Sequence, residues 1–129
     1  MRPIGEGWTE LAETWLPEPD LDTLDVRVIL QALVDPVRLR IVRELDVHGE
    51  STCTALDVPV KVSTVSHHMG ILRESGLVST RLVGTAKPSR LRRADLERRF
   101  PGLLDAVLNA PPPSEPASAE GSADQSAPA

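Results

Sequence analysis

A mainly α-helical chain with one small β-hairpin is the fold class this sequence predicts, and three observations predict it. Val62 to Leu77 (VSTVSHHMGILRESGL) carries apolar residues at helical spacing. Val65, Met69 and Leu72 share one stripe with His68 at its edge, while Ser63, Ser66, His67, Gly70 and Glu74 fall opposite. Ser63, Thr64 and Ser66 offer hydroxyls that start such a helix, and Gly76 accepts the left-handed cap that stops it. Leu77 to Leu82 then reads as a strand, Gly84-Thr85-Ala86 as a turn, and Lys87 to Leu91 as a returning strand. That hairpin holds Arg81, Lys87 and Arg90 at or beside its tip, where cations reach phosphates. A helix with a short polar front, a glycine stop and a basic hairpin is the order of a winged helix-turn-helix. Its reading helix suits a DNA major groove.

The helix window alone fits an ordinary amphipathic surface helix equally well; the basic hairpin behind it tips the reading. Charge distribution points the same way. The chain has a formal charge of −5 over 129 residues. Residues 1–35 hold two basic and eight acidic groups, residues 36–100 twelve basic and seven acidic, and residues 101–129 four acidic. The basic stretch coincides with the predicted DNA-binding elements, and local cations, not the total, displace phosphate counterions. Chance clustering of surface arginines is the plainer explanation of the same pattern.

The remaining elements follow in order. Glu6 to Leu16 places Trp8, Leu11, Ala12, Trp15 and Leu16 on one helical face, which docks on the core or a partner subunit, or else forms a mobile arm. Pro17-Glu18-Pro19 is an extended connector. Asp22 or Thr23 caps a helix through Leu24 to Val34, with Leu24, Val28, Leu30, Ala32 and Leu33 as core groups. Asp35-Pro36 starts a third helix, aspartate as cap and proline at the first helical position, packed by Val37, Leu39, Ile41, Val42 and Leu45. His48-Gly49-Glu50 is a turn. Ser51 to Asp57 is a short helix capped by Ser51 and packed by Cys53 and Leu56, and Val58 to Lys61 is a connector. Arg92 to Phe100 and Leu103 to Asn109 form a C-terminal helix interrupted at Pro101-Gly102, whose apolar set has little inside the domain to cover it. Three regions result: residues 1–19, an N-terminal helix and connector; residues 20–109, the DNA-binding and dimerisation domain; and residues 110–129, a Pro/Ala/Ser-rich acidic tail predicted to be disordered.

Ala32 to Glu44 (ALVDPVRLRIVRE) and the pattern Ser-x-x-Ser-x-His-x-x-x-Leu from Ser63 to Leu72 resemble the ArsR/SmtB-type family of bacterial winged-helix regulators. The resemblance covers roughly residues 24 to 108. It implies a homodimer, joined through N- and C-terminal helices, whose two reading helices sit about 34 Å apart on a near-palindromic operator. It also implies a structural or phosphate role for Arg38. Some members bind metal through a cysteine pair in the helix that holds Cys53, or through histidine and carboxylates on the C-terminal helix. Here Ser51 stands where the second cysteine belongs, and no histidine follows His68.

Few residues invite other chemistry. Cys53 reads as a small core residue, with a redox thiol or a metal ligand as alternatives. His48, Cys53, His67 and His68 are weak metal candidates, for a nickel- or zinc-type ion at most. Adjacent His67 and His68 point about 100° apart and do not easily chelate one ion. No phosphate loop, HExxH or G-x-S-x-G is present, so no enzyme is predicted. No apolar run approaches a membrane span of about 20 residues, and one cysteine with no signal-peptide pattern predicts a cytoplasmic protein. The expected function is a homodimeric regulator binding double-stranded DNA through Ser63, Thr64, Ser66, His67, Gly70, Arg73, Arg81, Lys87 and Arg90, answering a small-molecule, metal or protein signal. The alternative is a winged-helix protein-interaction module or co-regulator with little DNA affinity.

Overall fold

The computed structural model describes residues 14–114. In chain order these form β1 (Thr14–Trp15), a single 3-10 turn (Leu21–Thr23), α1 (Val26–Leu33), α2 (Pro36–His48) and α3 (Val62–Glu74). The wing strands β2 (Val78–Leu82) and β3 (Ser89–Leu91), then α4 (Arg93–Arg99) and α5 (Leu103–Leu108), complete the order. Helices dominate, beside one antiparallel sheet of strand order β1-β2-β3. No helix of the described residues is long and apolar enough to cross a membrane.

Local chemistry accounts for the helix starts. Asp35 accepts from the Val37 and Arg38 N–H groups at 2.8 and 3.1 Å, and Pro36 opens α2 where its missing donor is no loss. The cap of α1 is not Asp22 or Thr23 but Asp25, whose carboxylate accepts from Arg27 N at 2.8 Å. Bonds from the Arg27 side chain, then from its backbone, hold that carboxyl down to about 2. The later start has a packing cause. Leu21 is fully buried, and residues Leu21–Thr23 form their own turn, capped by Asp20, to put it there. Helix α1 consequently faces inward with Ile29, Ala32 and Leu33, at i, i+3 and i+4, whereas Val28 and Leu30, expected in the core, stay 41% and 45% exposed.

Two expectations change over the described residues. Thr14 and Trp15, the end of the helix expected at Glu6 to Leu16, are instead a strand paired with Leu82 and Arg81, and Leu16 N continues the pairing to Thr80 O at 2.8 Å. The free edge of β2 supplies unpaired backbone groups, and Thr and Trp suit a strand. The rest of that expected helix, including Trp8, lies outside the described residues. Ser51 to Asp57 forms turns. Ser51 exchanges both backbone bonds with Ser89 at 2.9 Å, so it extends the sheet and caps nothing. Thr52 and Thr54 hydroxyls meet at 3.2 Å, and such side chains favour turns over helix interiors. Leu56 still reaches the core, with Cys53 half-buried against it.

The core joins α1, α2 and α3 to the wing through Ile29, Ile41, Val42, Leu45, Val65, Leu72, Leu77 and Val78. Gly76, at φ 86°, turns the chain from α3 into β2; a Cβ there would lie 2.6 Å from Leu21 Cδ2 and 2.9 Å from Leu24 Cδ2. Only glycine fits both the angle and the space. The connector at Pro17-Glu18-Pro19 is pinned as well as extended. Glu18 accepts from Ser79 Oγ at 2.7 Å and pairs with Arg92 at 3.3 Å, while Arg92 Nη1 donates to Pro19 O at 2.7 Å. The C-terminal helix breaks at Gly102, φ 81°, as expected. Leu96 and Leu104 are buried, and Phe100, Leu103, Val107 and Leu108 are partly so. Residues 110–114 are exposed and without regular structure; the rest of the tail expected to be disordered lies outside the described residues.

Candidate nucleic-acid interface

Helix α3 is held by its back. Val65, Met69 and Leu72 are 2%, 4% and 0% exposed, so the apolar stripe is fully committed to the core. That orientation leaves Ser63, Ser66 and His67 exposed on the opposite face, Thr64 half-buried beside them, and Gly70 with open space where a side chain would stand. The hydroxyls do not start the helix as expected. Lys61 occupies the cap position without a side-chain bond, its carbonyl accepting from Thr64 and Val65 N–H at 2.9 and 3.0 Å. Ser63 and Ser66 make no cap bond, and their side chains face outward instead.

A second anchor fixes the helix from α2. Arg38 Nε donates to the Ala32 carbonyl at 2.7 Å, and Arg38 Nη1 lies 3.2 Å from His68 Nδ1. A guanidinium only donates, so Nδ1 is the acceptor in this contact. Arg38 is thus structural, 13% exposed, and His68 faces the protein while His67 faces out. Arg73 is half-buried near the end of α3, its Nε enclosed without a hydrogen-bond partner among the described residues.

The wing brings its cations to different ends. Arg81 is forked onto Glu50, with Nε and Nη2 donating at 2.7 and 2.6 Å, and its side chain is only 23% exposed. That guanidinium, chiefly through its hydrogen bonds, holds the Glu50 carboxyl below its ordinary value. Lys87 is exposed beside the tip, where Val83 and Ala86 bridge around Gly84. Arg90 is exposed with its guanidinium over the Trp15 ring, 4.6 Å from the centroid. Lys61, at the head of α3, is a further exposed cation outside the set expected from the sequence. Its signal was its place just ahead of the helix.

The metal candidates do not converge. His48 sits 3.5 Å from Glu44, Cys53 lies in the turns after α2, and the rings of His67 and His68 are 5.6 Å apart and tilted. Among the described residues no group of three or more His, Cys, Asp and Glu is placed to hold an ion. These residues therefore do not fit either metal pattern of the resembled family.

Comparison with known proteins agrees with this geometry. A helix-turn-helix domain family matches residues 33–81. An uncharacterised HTH-type transcriptional regulator, YceK of Bacillus subtilis (strain 168), is 35% identical over 82 residues, covering 61% of this chain and 82% of that protein. The crystal structure of the transcriptional repressor BigR from Xylella fastidiosa is 32% identical and superposes with a TM-score of 0.55, over 69% of this chain and 88% of that one. A solved ArsR family regulator at 18% identity and a TM-score of 0.49, over 74% of this chain and 100% of that one, is too distant to carry weight. With the Asp35-Pro36 junction, the reading-helix pattern and the wing all in place, the chain belongs to the ArsR/SmtB-type family of winged helix-turn-helix transcriptional regulators, DNA-binding proteins and not enzymes.

Proposed function

We propose that this regulator acts in the bacterial cytoplasm as a homodimer reading a near-palindromic operator, with the outward face of α3 in the major groove. One observation carries the reading: the helix buries its entire apolar stripe and presents Ser63, Ser66 and His67 to solvent beside a basic wing. Thr64 and Gly70 line the same approach, Gly70 by removing bulk. Small polar groups reach base edges without forcing the helix away, and His67 is the longest of them. Lys87 and Arg90 face phosphates, and Arg73 supports the end of the helix. Support for the dimer comes from apolar groups left open: Val28 and Val34 on and after α1 are 41% and 74% exposed, and Leu103, Val107 and Leu108 on α5 are incompletely covered. The relative BigR is a repressor, which favours repression here. The unit that performs this is residues 20–109, with residues 14–19 attached to its wing.

A gel shift against the DNA upstream of the protein's own gene, at two salt concentrations, tests the reading. A discrete shift that weakens steeply with salt is expected. No shift at either concentration, together with a protein captured by the acidic ends, would establish the protein-interaction module instead.

A further inference from the structure

The wing carries two arginines that share a face of the sheet and yet are held in opposite ways. Trp15 stands opposite Arg81 in the β1–β2 register, and Arg90 stands opposite Ser79 in the β2–β3 register. Side chains opposite one another, and two residues apart along a strand, share a face. Trp15, Arg81 and Arg90 therefore project from the same side. Arg81 spends its forked donors on Glu50. Arg90 rests the flat of its guanidinium on the indole, 4.6 Å from the ring centroid. Stacking uses the face of the group and leaves its N–H edge open, and among the described residues no ion pair takes that edge. Glu50 feels the Arg90 charge, but its oxygens are already engaged by Arg81.

We propose that Trp15 is a positioning residue for DNA binding: delivered by β1, its indole holds the Arg90 guanidinium edge-outward against a phosphate flanking the groove, while Arg81 serves the fold. The inference rests on the reading of α3 and the wing as the DNA interface. A guanidinium edge matches two phosphate oxygens at once, so a fixed orientation is worth more to arginine than to lysine. Ordering the long side chain before DNA arrives also removes part of the entropic cost of immobilising it in the complex. Trp15 is 41% exposed, so its indole is accessible at the surface where the guanidinium rests on it.

The test is a salt titration of full-length protein binding to a fluorescent mixed-sequence duplex, since phosphate contacts are independent of sequence. Arg90→Ala flattens the slope of log affinity against log salt by about one. Trp15→Ala leaves the slope unchanged and weakens binding about two- to five-fold, the scale of an exposed cation–π contact. Trp15→Phe, which keeps a ring and strand propensity, recovers part of the loss. In the Arg90→Ala background, Trp15→Ala costs nothing further. Equal or tighter binding by Trp15→Ala would overturn the proposal, and so would the same loss with Arg90 already removed. Wild-type protein showing no salt-sensitive binding at all would remove the DNA reading beneath it, a distinct failure.

Discussion

The seat of α3 and the wing lie side by side, but different forces hold them. Helix α3 is fixed by wholly buried apolar groups, a jammed glycine and a half-buried arginine; beyond its root at Leu77 and Val78, the wing is fixed by strand pairing and ion pairs at the surface. Burial leaves the polar front of α3 unencumbered, because the contacts that hold it are all behind. Surface pairing consumes the same kind of group that DNA would use, so each wing cation must be assigned singly. Arg81 is taken by Glu50, Arg90 is stacked, and Lys87 is exposed beside the tip with no ion pair among the described residues.

The largest expected difference between the regions comes from two glycines with the same sign of φ. At Gly76 an alanine Cβ meets Leu21 at 2.6 Å and Leu24 at 2.9 Å, whereas at Gly84, φ 61°, nothing lies within 4 Å. Gly76→Ala should cost at least about 2 kcal/mol, combining a left-handed alanine with overpacking. Gly84→Ala should cost about 1 kcal/mol, the backbone part alone. Urea unfolding of the two variants measures both, and equal losses would erase the distinction between jammed seat and open wing. Arg38→Met falls between them, at about 1–2 kcal/mol, because it strips donors from the Ala32 carbonyl and His68. It should also weaken binding to every operator alike, since it loosens α3 without touching its front.

These contrasts show what could be read from the chain. The stripe of Val65, Met69 and Leu72, the stop at Gly76 and the Asp35-Pro36 start are local signals, legible within one or two helical turns. The wing followed from its turn residues. What escaped depended on distant partners. Trp15 and Leu16 carry a helical apolar spacing, and only the open edge of β2, brought near by folding, pairs Thr14 and Trp15 as a strand. Ser51 had the look of a cap until Ser89 took its backbone. The fate of Arg81 was set by Glu50, which is 31 residues away in sequence and adjacent in space. Charge type was legible; charge assignment was not.

The smallest expected effect is on acid stability. The carboxyls of Asp35, held down first by the Arg38 N–H, and of Glu50, held down first by the Arg81 side chain, both lie below their ordinary values of 3.8 and 4.5. The stability each lends is therefore complete above those values and is lost as pH falls through the lowered ones. Melting temperature should hold steady from neutral pH down to about 4.5, then decline. Glu50→Gln should make that decline shallower, and an unchanged acid limb would mean the wing pair adds nothing.

The most direct measurement is the ranking of operator variants by the wild-type protein and by His67→Ala, read by fluorescence anisotropy at fixed salt. If the outward face of α3 reads bases, His67→Ala reorders the variants at one position in each half-site, by about 1–3 kcal/mol of discrimination, while the salt slope stays as it was. An identical ranking at uniformly lower affinity would contradict the account, and would make α3 a helix that touches DNA without reading it.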